Sequence, residues 1–264
     1  MANKLTIAAN WKMNLNTHEA SLLLQRLSDR IQIHRDIEVV LAPSLLSLQP
    51  LSVEVDHRKF HLAAQNAYFR DEGAYTGEVS FTMLRDMVDY VLVGHSERRI
   101  YFHETLDIVC QKVAAAMRNK ITPILCIGET QEERKAGETN QVIHDQLTTA
   151  LSDLTASYVE NIVIAYEPIW AISTFGGLLA KPHEVETVMK RIRYEIDELY
   201  GEKASKSVRV LYGGSVDEQV VRGYLELDDC NGALVGGASL NYHKFSAIVD
   251  SANRLLQEQR KDDG

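Results

Sequence analysis

The most restrictive feature of this chain is a repeat of form rather than of residues. Eight short apolar runs alternate with amphipathic helical stretches from one end to the other, the runs covering 5–9, 38–42, 62–65, 90–94, 122–127, 162–166, 208–212 and 233–236. Most are nearly continuous in Val, Ile, Leu and Ala, as strands of a parallel sheet are when both faces are buried. Between them the period is helical. Asn16 with Glu19 forms a capping-box pattern ahead of Leu23, Leu27 and Ile31. Ile143, Leu147 and Leu151 recur every fourth residue. Pro182 suits the first turn of a helix whose inner face is Val185, Val188, Met189, Ile192 and Ile196, and Phe245, Ile248, Val249, Ala252 and Leu256 mark the last helix. Eight β–α units in 264 residues predict an α/β fold, a closed (β/α)8 barrel of eight parallel strands ringed by helices. A doubly wound open sheet is the rival, but it usually carries a Gly-rich turn after its first strand, where this chain has Asn10-Trp11-Lys12. No linker divides the chain, so residues 1–264 read as one barrel domain, with 257–264 a polar tail expected to fray.

Composition narrows the partners. A net charge of −9 disfavours nucleic acid and anionic membranes. An anionic substrate would need local positive charge from one or two lysines and backbone N–H groups. Cys110, Cys126 and Cys230 are odd in number and form no C-x-x-C pair, so neither a disulfide framework nor a zinc site is expected. No apolar run reaches transmembrane length and no signal peptide is apparent; a reduced, cytoplasmic protein is the expectation. No metal cluster or nucleotide motif appears, and no cofactor is expected.

In a barrel of this kind the chemistry gathers where strands end. The first run ends at Asn10-Trp11-Lys12, placing a lysine where it can point at an anion, although most lysines are simply solvated. The fourth ends at Gly94-His95-Ser96-Glu97-Arg98-Arg99. Ser96 is placed to open a helix, and a helix N-terminus beside the ring favours a neutral imidazole able to donate to a developing oxyanion. Arg98 and Arg99 read as structural or interface charges. The sixth run ends at Tyr166-Glu167-Pro168-Ile169-Trp170, a carboxylate in apolar company, where desolvation should raise its pKa and make it a better base. The last two runs end at Gly213-Gly214-Ser215 and Gly236-Gly237, and two such turns at these strand ends predict a phosphate cradle.

Taken together, Asn10-Trp-Lys-Met-Asn14, Ala64-Gln-Asn66, Gly73-Ala-Tyr-Thr-Gly-Glu78, Val93-Gly-His-Ser-Glu-Arg98, Leu125-Cys-Ile-Gly-Glu129, Ala165-Tyr-Glu-Pro-Ile-Trp170, Tyr212-Gly-Gly-Ser-Val216 and Leu234-Val-Gly-Gly-Ala-Ser-Leu240 resemble the triosephosphate isomerase family, in its order. The resemblance implies interconversion of dihydroxyacetone phosphate and D-glyceraldehyde 3-phosphate, a step of glycolysis and gluconeogenesis. It implies Glu167 as the base, His95 as the neutral electrophile, Lys12 as partner of the phosphate and enediolate charge, and Asn10 as an oxygen-holding residue. These roles are the family's established ones, carried over by motif. It further implies backbone N–H contacts to phosphate at Ser173, Ser215, Gly236 and Gly237, and supporting roles for Glu97 and Cys126. Ile172 and Leu234 would clamp over the base and exclude water. The 66–78 segment resembles the family's dimer loop, with Thr76 reaching into a neighbouring subunit's site, so a homodimer is implied.

The chain departs from the family pattern in one place. Ala171-Ile-Ser-Thr-Phe-Gly-Gly-Leu-Leu-Ala-Lys181 stands where the family carries a flexible lid, about two residues longer than usual and without its usual lysine or Thr-Ala hinge. Gly176-Gly177 could supply hinge freedom instead, and the expectation is a lid that closes with altered kinetics. The changed lid leaves two alternatives open. One is a paralogue acting on a tetrose phosphate. The other is a non-catalytic phosphometabolite-binding protein, against which an intact Lys12, His95 and Glu167 argue.

Overall fold

The computed structural model describes residues 4–262. Each apolar run is a parallel strand: β1 (Leu5–Asn10), β2 (Ile37–Ala42), β3 (His61–Ala64), β4 (Tyr90–Val93), β5 (Thr122–Ile127), β6 (Val163–Tyr166), β7 (Arg209–Tyr212) and β8 (Gly232–Val235). They pair in sequence order and β8 pairs with β1, which closes the barrel and excludes the open doubly wound sheet. Several strand ends lie one residue from the expected bounds, where the chain already turns out of the sheet into its loops.

Alternation along each strand sorts the side chains into two cores. Ala8, Val40, Ala63, Leu92, Ile124 and Leu211 belong to a cluster that fills the barrel interior. Their neighbours Ile7, Val39, Leu62, Val91, Leu125 and Val210 belong to the second, larger cluster, between the strands and the helices. The helical faces match this outer layer. Asn16 and Glu19 make the reciprocal capping box of the helix Thr17–Arg30, which buries Leu23, Leu24 and Leu27. Pro182 opens the helix Pro182–Tyr200, whose Val185, Val188, Met189, Ile192 and Ile196 are buried. The final helix, Tyr242–Asp262, buries Leu255 where the periodicity pointed to Leu256, which is only partly covered. It also continues through residues 257–262, where polar composition suggested fraying, and Arg260 pairs with Asp36 there. Residues 263 and 264 lie outside the described residues.

The floor of the barrel, at the N-terminal strand ends, is polar. The Tyr90 hydroxyl donates to Glu38 Oε2 (2.6 Å), and Arg209 Nη1 donates to Glu38 Oε2 (2.5 Å) and Thr6 Oγ1 (2.8 Å). Burial works against ionisation of Glu38, but the Tyr90 hydroxyl and the Arg209 guanidinium overcome it and draw the carboxyl down to about 2. A carboxyl depressed on folding stabilises the native state above its unfolded pKa, and that contribution is lost as pH falls toward the folded value. The Glu38 contribution is therefore complete near neutrality and disappears as pH falls from the ordinary carboxylate range toward about 2. Arg209→Met should lower stability at neutral pH by about 1.5–3 kcal/mol, the loss of a charged hydrogen bond. It should also flatten the acid limb of a denaturation profile; an unchanged limb would show that Glu38 is not held by Arg209.

Candidate active site

The C-terminal strand ends carry the candidate residues, and β1 sets the first two. Asn10 closes the strand with its side chain buried, and its Oδ1 accepts from the Lys12 N–H (3.0 Å). Lys12 has φ +52°, a conformation that residues other than glycine adopt rarely. Gln65 holds it there, its amide donating to the carbonyls of Lys12 and Ala42 (both 2.9 Å). The Lys12 ammonium meets Glu97 Oε1 at 2.6 Å.

After β4 the short helix Ser96–Tyr101 opens at Ser96, and its cap is His95 itself. The ring Nδ1 accepts from the Glu97 backbone N–H (3.2 Å). A backbone N–H can only donate, so Nδ1 is unprotonated and the ring proton sits on Nε2, in a neutral imidazole. Nε2 faces Glu167 Oε1 at 3.2 Å.

Glu167 follows β6 directly, its N–H donating to the Ile127 carbonyl (2.7 Å) and its side chain only 2% exposed. Oε2 is buried without a hydrogen-bond partner among the described residues. Burial pushes this carboxyl up, as its apolar company suggested; the His95 hydrogen bond and the Arg99 and Lys12 charges oppose it, and a net shift below the usual range requires the imidazole to carry charge as well. Arg99 is thus not simply a structural or interface charge. Its Nε and Nη2 are buried without partners among the described residues, and its charge acts on Glu167. Arg98 does behave structurally, pairing with Glu104 and lying over Phe102. Cys126 is buried on β5, and burial together with the Glu167 charge holds its thiol well above the ordinary value.

These groups open onto a cavity of about 570 Å³ lined by Asn10, Lys12, His95 and Glu167, together with Ile172 and Leu234. Ser173, Ser215, Gly236 and Gly237 also line it. Gly237 opens the 3-10 turn Gly237–Leu240, whose first N–H groups have no acceptor within the turn. Ser215 is differently engaged: both its N–H (2.9 Å) and its hydroxyl (2.7 Å) donate to the Ala171 carbonyl, so a phosphate contact there requires exchange of the N–H bond. Thr76 does not line this cavity; it lies on the loop 70–78, which is exposed throughout. Among the described residues no cluster of His, Cys, Asp and Glu is arranged to hold a metal ion.

A sequence model described as triosephosphate isomerase matches residues 5–252. The chain belongs to the triosephosphate isomerase family. Relatives of that name include the protein of Clostridium tetani, 42% identical over 94% of this chain and 96% of its own length. The Clostridium beijerinckii protein is 43% identical over 94% and 99%. The Streptococcus suis protein is 42% identical over 95% and 100%.

The segment 171–181, read from the sequence as the lid, is anchored at both ends. Its root is fixed by Glu129, which accepts from Trp170 Nε1 (2.9 Å) and from the Tyr166 hydroxyl (3.1 Å to each oxygen), while Arg134 lies 4.2 Å from the Trp170 ring centroid. Its far end is held by the Tyr224 hydroxyl, which donates to the Ala180 carbonyl (2.6 Å). Between these anchors Gly176 and Gly177 have φ +149° and +62°, and the Phe175 and Gly177 N–H groups both return to the Ile172 carbonyl. The glycines therefore build a turn in the lid's middle rather than a hinge at its ends. Sequence reasoning missed Leu179, Asp217, Val220, Asn241 and Lys244, which complete the cavity wall. None of them follows a strand directly, and none lies in the motifs that carry the family resemblance.

Proposed function

We infer that this chain interconverts dihydroxyacetone phosphate and D-glyceraldehyde 3-phosphate through an enediolate, the triose step of glycolysis and gluconeogenesis. The observation that carries the reading is the pairing of His95 Nε2 with Glu167 Oε1 at 3.2 Å in a cavity that Lys12 also lines. Glu167 takes the proton from the carbon beside the carbonyl and returns it to the neighbouring carbon. His95 donates Nε2–H to the oxygen on which charge develops, and Lys12 balances the enediolate and phosphate charge. Asn10 orients the substrate oxygens. Ser173, Gly236, Gly237 and, after exchange, Ser215 hold the phosphate. Ile172 and Leu234 keep water from the base, and Glu97 and Cys126 support Lys12 and Glu167 from behind. None of these steps calls on a cofactor. The four-carbon and non-catalytic alternatives are not favoured, since the relatives above are named triosephosphate isomerase along nearly their whole length. A coupled assay on D-glyceraldehyde 3-phosphate tests the reading; binding without turnover would replace it with the non-catalytic one.

The active form is proposed to be a homodimer of one-domain, cytoplasmic chains. Met13 (97% exposed), Leu46 (76%) and Phe102 (63%) leave an apolar surface beside the catalytic cavity. A groove lined by Met13, Leu45, Gln65 and Phe102 lies there for a partner's loop bearing Thr76. Light scattering at micromolar concentration should give twice the chain mass, and a fully active monomer would exclude the dimer. The three cysteines are free and buried, which suits a reducing compartment, and among the described residues no helix is long and apolar enough to cross a membrane.

A further inference from the structure

Two lid side chains reach the helix Ser96–Tyr101, away from the phosphate wall. The Thr174 hydroxyl donates to Glu97 Oε1 at 3.3 Å, and it lies 3.4 Å from Lys12 Nζ, from which it accepts. Glu97 Oε1 is also the atom that holds the Lys12 ammonium at 2.6 Å. One carboxylate oxygen thus serves two donors, one fixed in the barrel and one carried by the lid. Next along the chain, the Phe175 ring lies against Tyr101, with centroids 5.7 Å apart and planes at 31°. Tyr101 ends the same six-residue helix that His95 caps and that carries Glu97. The middle of the lid is therefore located by the element that locates His95 and the Lys12 partner.

These contacts have a chemical consequence. A carboxylate 2.6 Å from an ammonium holds it strongly and competes with a substrate phosphate for it. A second donor on the same oxygen weakens that hold, and the hydroxyl's lone pair gives the ammonium a neutral acceptor beside the carboxylate. We propose that Thr174 is a positioning residue that couples lid closure to Lys12, releasing the ammonium from Glu97 toward the substrate phosphate, and that Phe175 on Tyr101 is the pin that brings Thr174 to the ion pair. The proposal rests on the isomerase reading for its substrate, but the coupling itself is a statement about binding of a phosphate.

The test compares full-length Thr174→Val, which keeps shape and loses the hydroxyl, with Thr174→Ser, which keeps the hydroxyl. Kinetics on D-glyceraldehyde 3-phosphate and calorimetric titration with inorganic phosphate are read side by side. Thr174→Val should raise KM and the phosphate Kd together by about 3- to 10-fold, the range for loss of one hydrogen bond, with a smaller change in kcat. Thr174→Ser should restore both. Equal behaviour of the Val and Ser variants, or an unmoved KM and Kd, would overturn the coupling. Phe175→Leu should shift the same two quantities in the same direction, and adding Thr174→Val to it should bring little further change. Full additivity would remove Phe175 as the pin. Thermal unfolding of each variant separates these effects from loss of fold. If wild-type protein binds phosphate without turnover, the isomerase reading fails while the titrations still decide the coupling.

Discussion

Glu167→Gln should lower kcat on D-glyceraldehyde 3-phosphate by about 10³- to 10⁴-fold, the upper part of what one positioned base contributes. The amide fills the same buried space and can still accept from His95 Nε2, so phosphate affinity and thermal stability should change little. What disappears is the capacity to take a proton from carbon. A loss smaller than about tenfold would show that another group is the base. The acidity of the wild-type carboxyl adds a second expectation. Burial raises this carboxyl while the Arg99 and Lys12 charges lower it. Only the ionised form is a base. Once ionisation of the substrate phosphate is divided out, Arg99→Met should therefore move the acid limb of kcat/KM upward, and an unmoved limb would show that the Arg99 charge does not reach Glu167.

Gly213→Ala should cost about 10²-fold in kcat, the scale expected when a reacting group is displaced by roughly an ångström. A Cβ at this position would stand 2.6 Å from Glu167 Cγ, well inside normal carbon–carbon contact. The cost should fall on the chemistry, because the methyl group meets the base and not the phosphate wall. Phosphate binding and the unfolding transition should stay close to wild type. A variant with normal kcat would mean that Glu167 has freedom to move aside without loss, contrary to its nearly complete burial.

Much of this molecule is legible in its sequence. Continuous apolar strands and a regular alternation with helices point to a closed barrel, because few other arrangements bury both faces of eight parallel strands. Strand ends then pointed to Asn10, Lys12, His95, Glu167 and the two Gly-Gly turns, since in such a barrel those ends converge. The misreadings share a cause. The direction of Glu167's acidity depends on a sum of opposing effects from His95, Arg99 and Lys12, which lie on other parts of the chain, and local apolar company reports only one of them. The engagement of Ser215 with Ala171, and of Thr174 with Lys12 and Glu97, arises between segments whose approach is set by the lid's own turn. Local pattern can place a residue beside a site; it does not say which neighbour already holds its donors.

The seam between β1 and β8 bears on how the enzyme comes into being. The Lys12 side chain runs beside Gly236, where an added methyl group would lie 3.6 Å from Lys12 Cε, so opposite ends of the chain meet at the cavity wall. A polypeptide emerging from the ribosome carries its lysine, histidine and glutamate long before the last strand is available to complete that wall. Activity therefore arrives late and all at once during synthesis, and a chain that ends before β8 has the catalytic side chains but no finished place for the substrate.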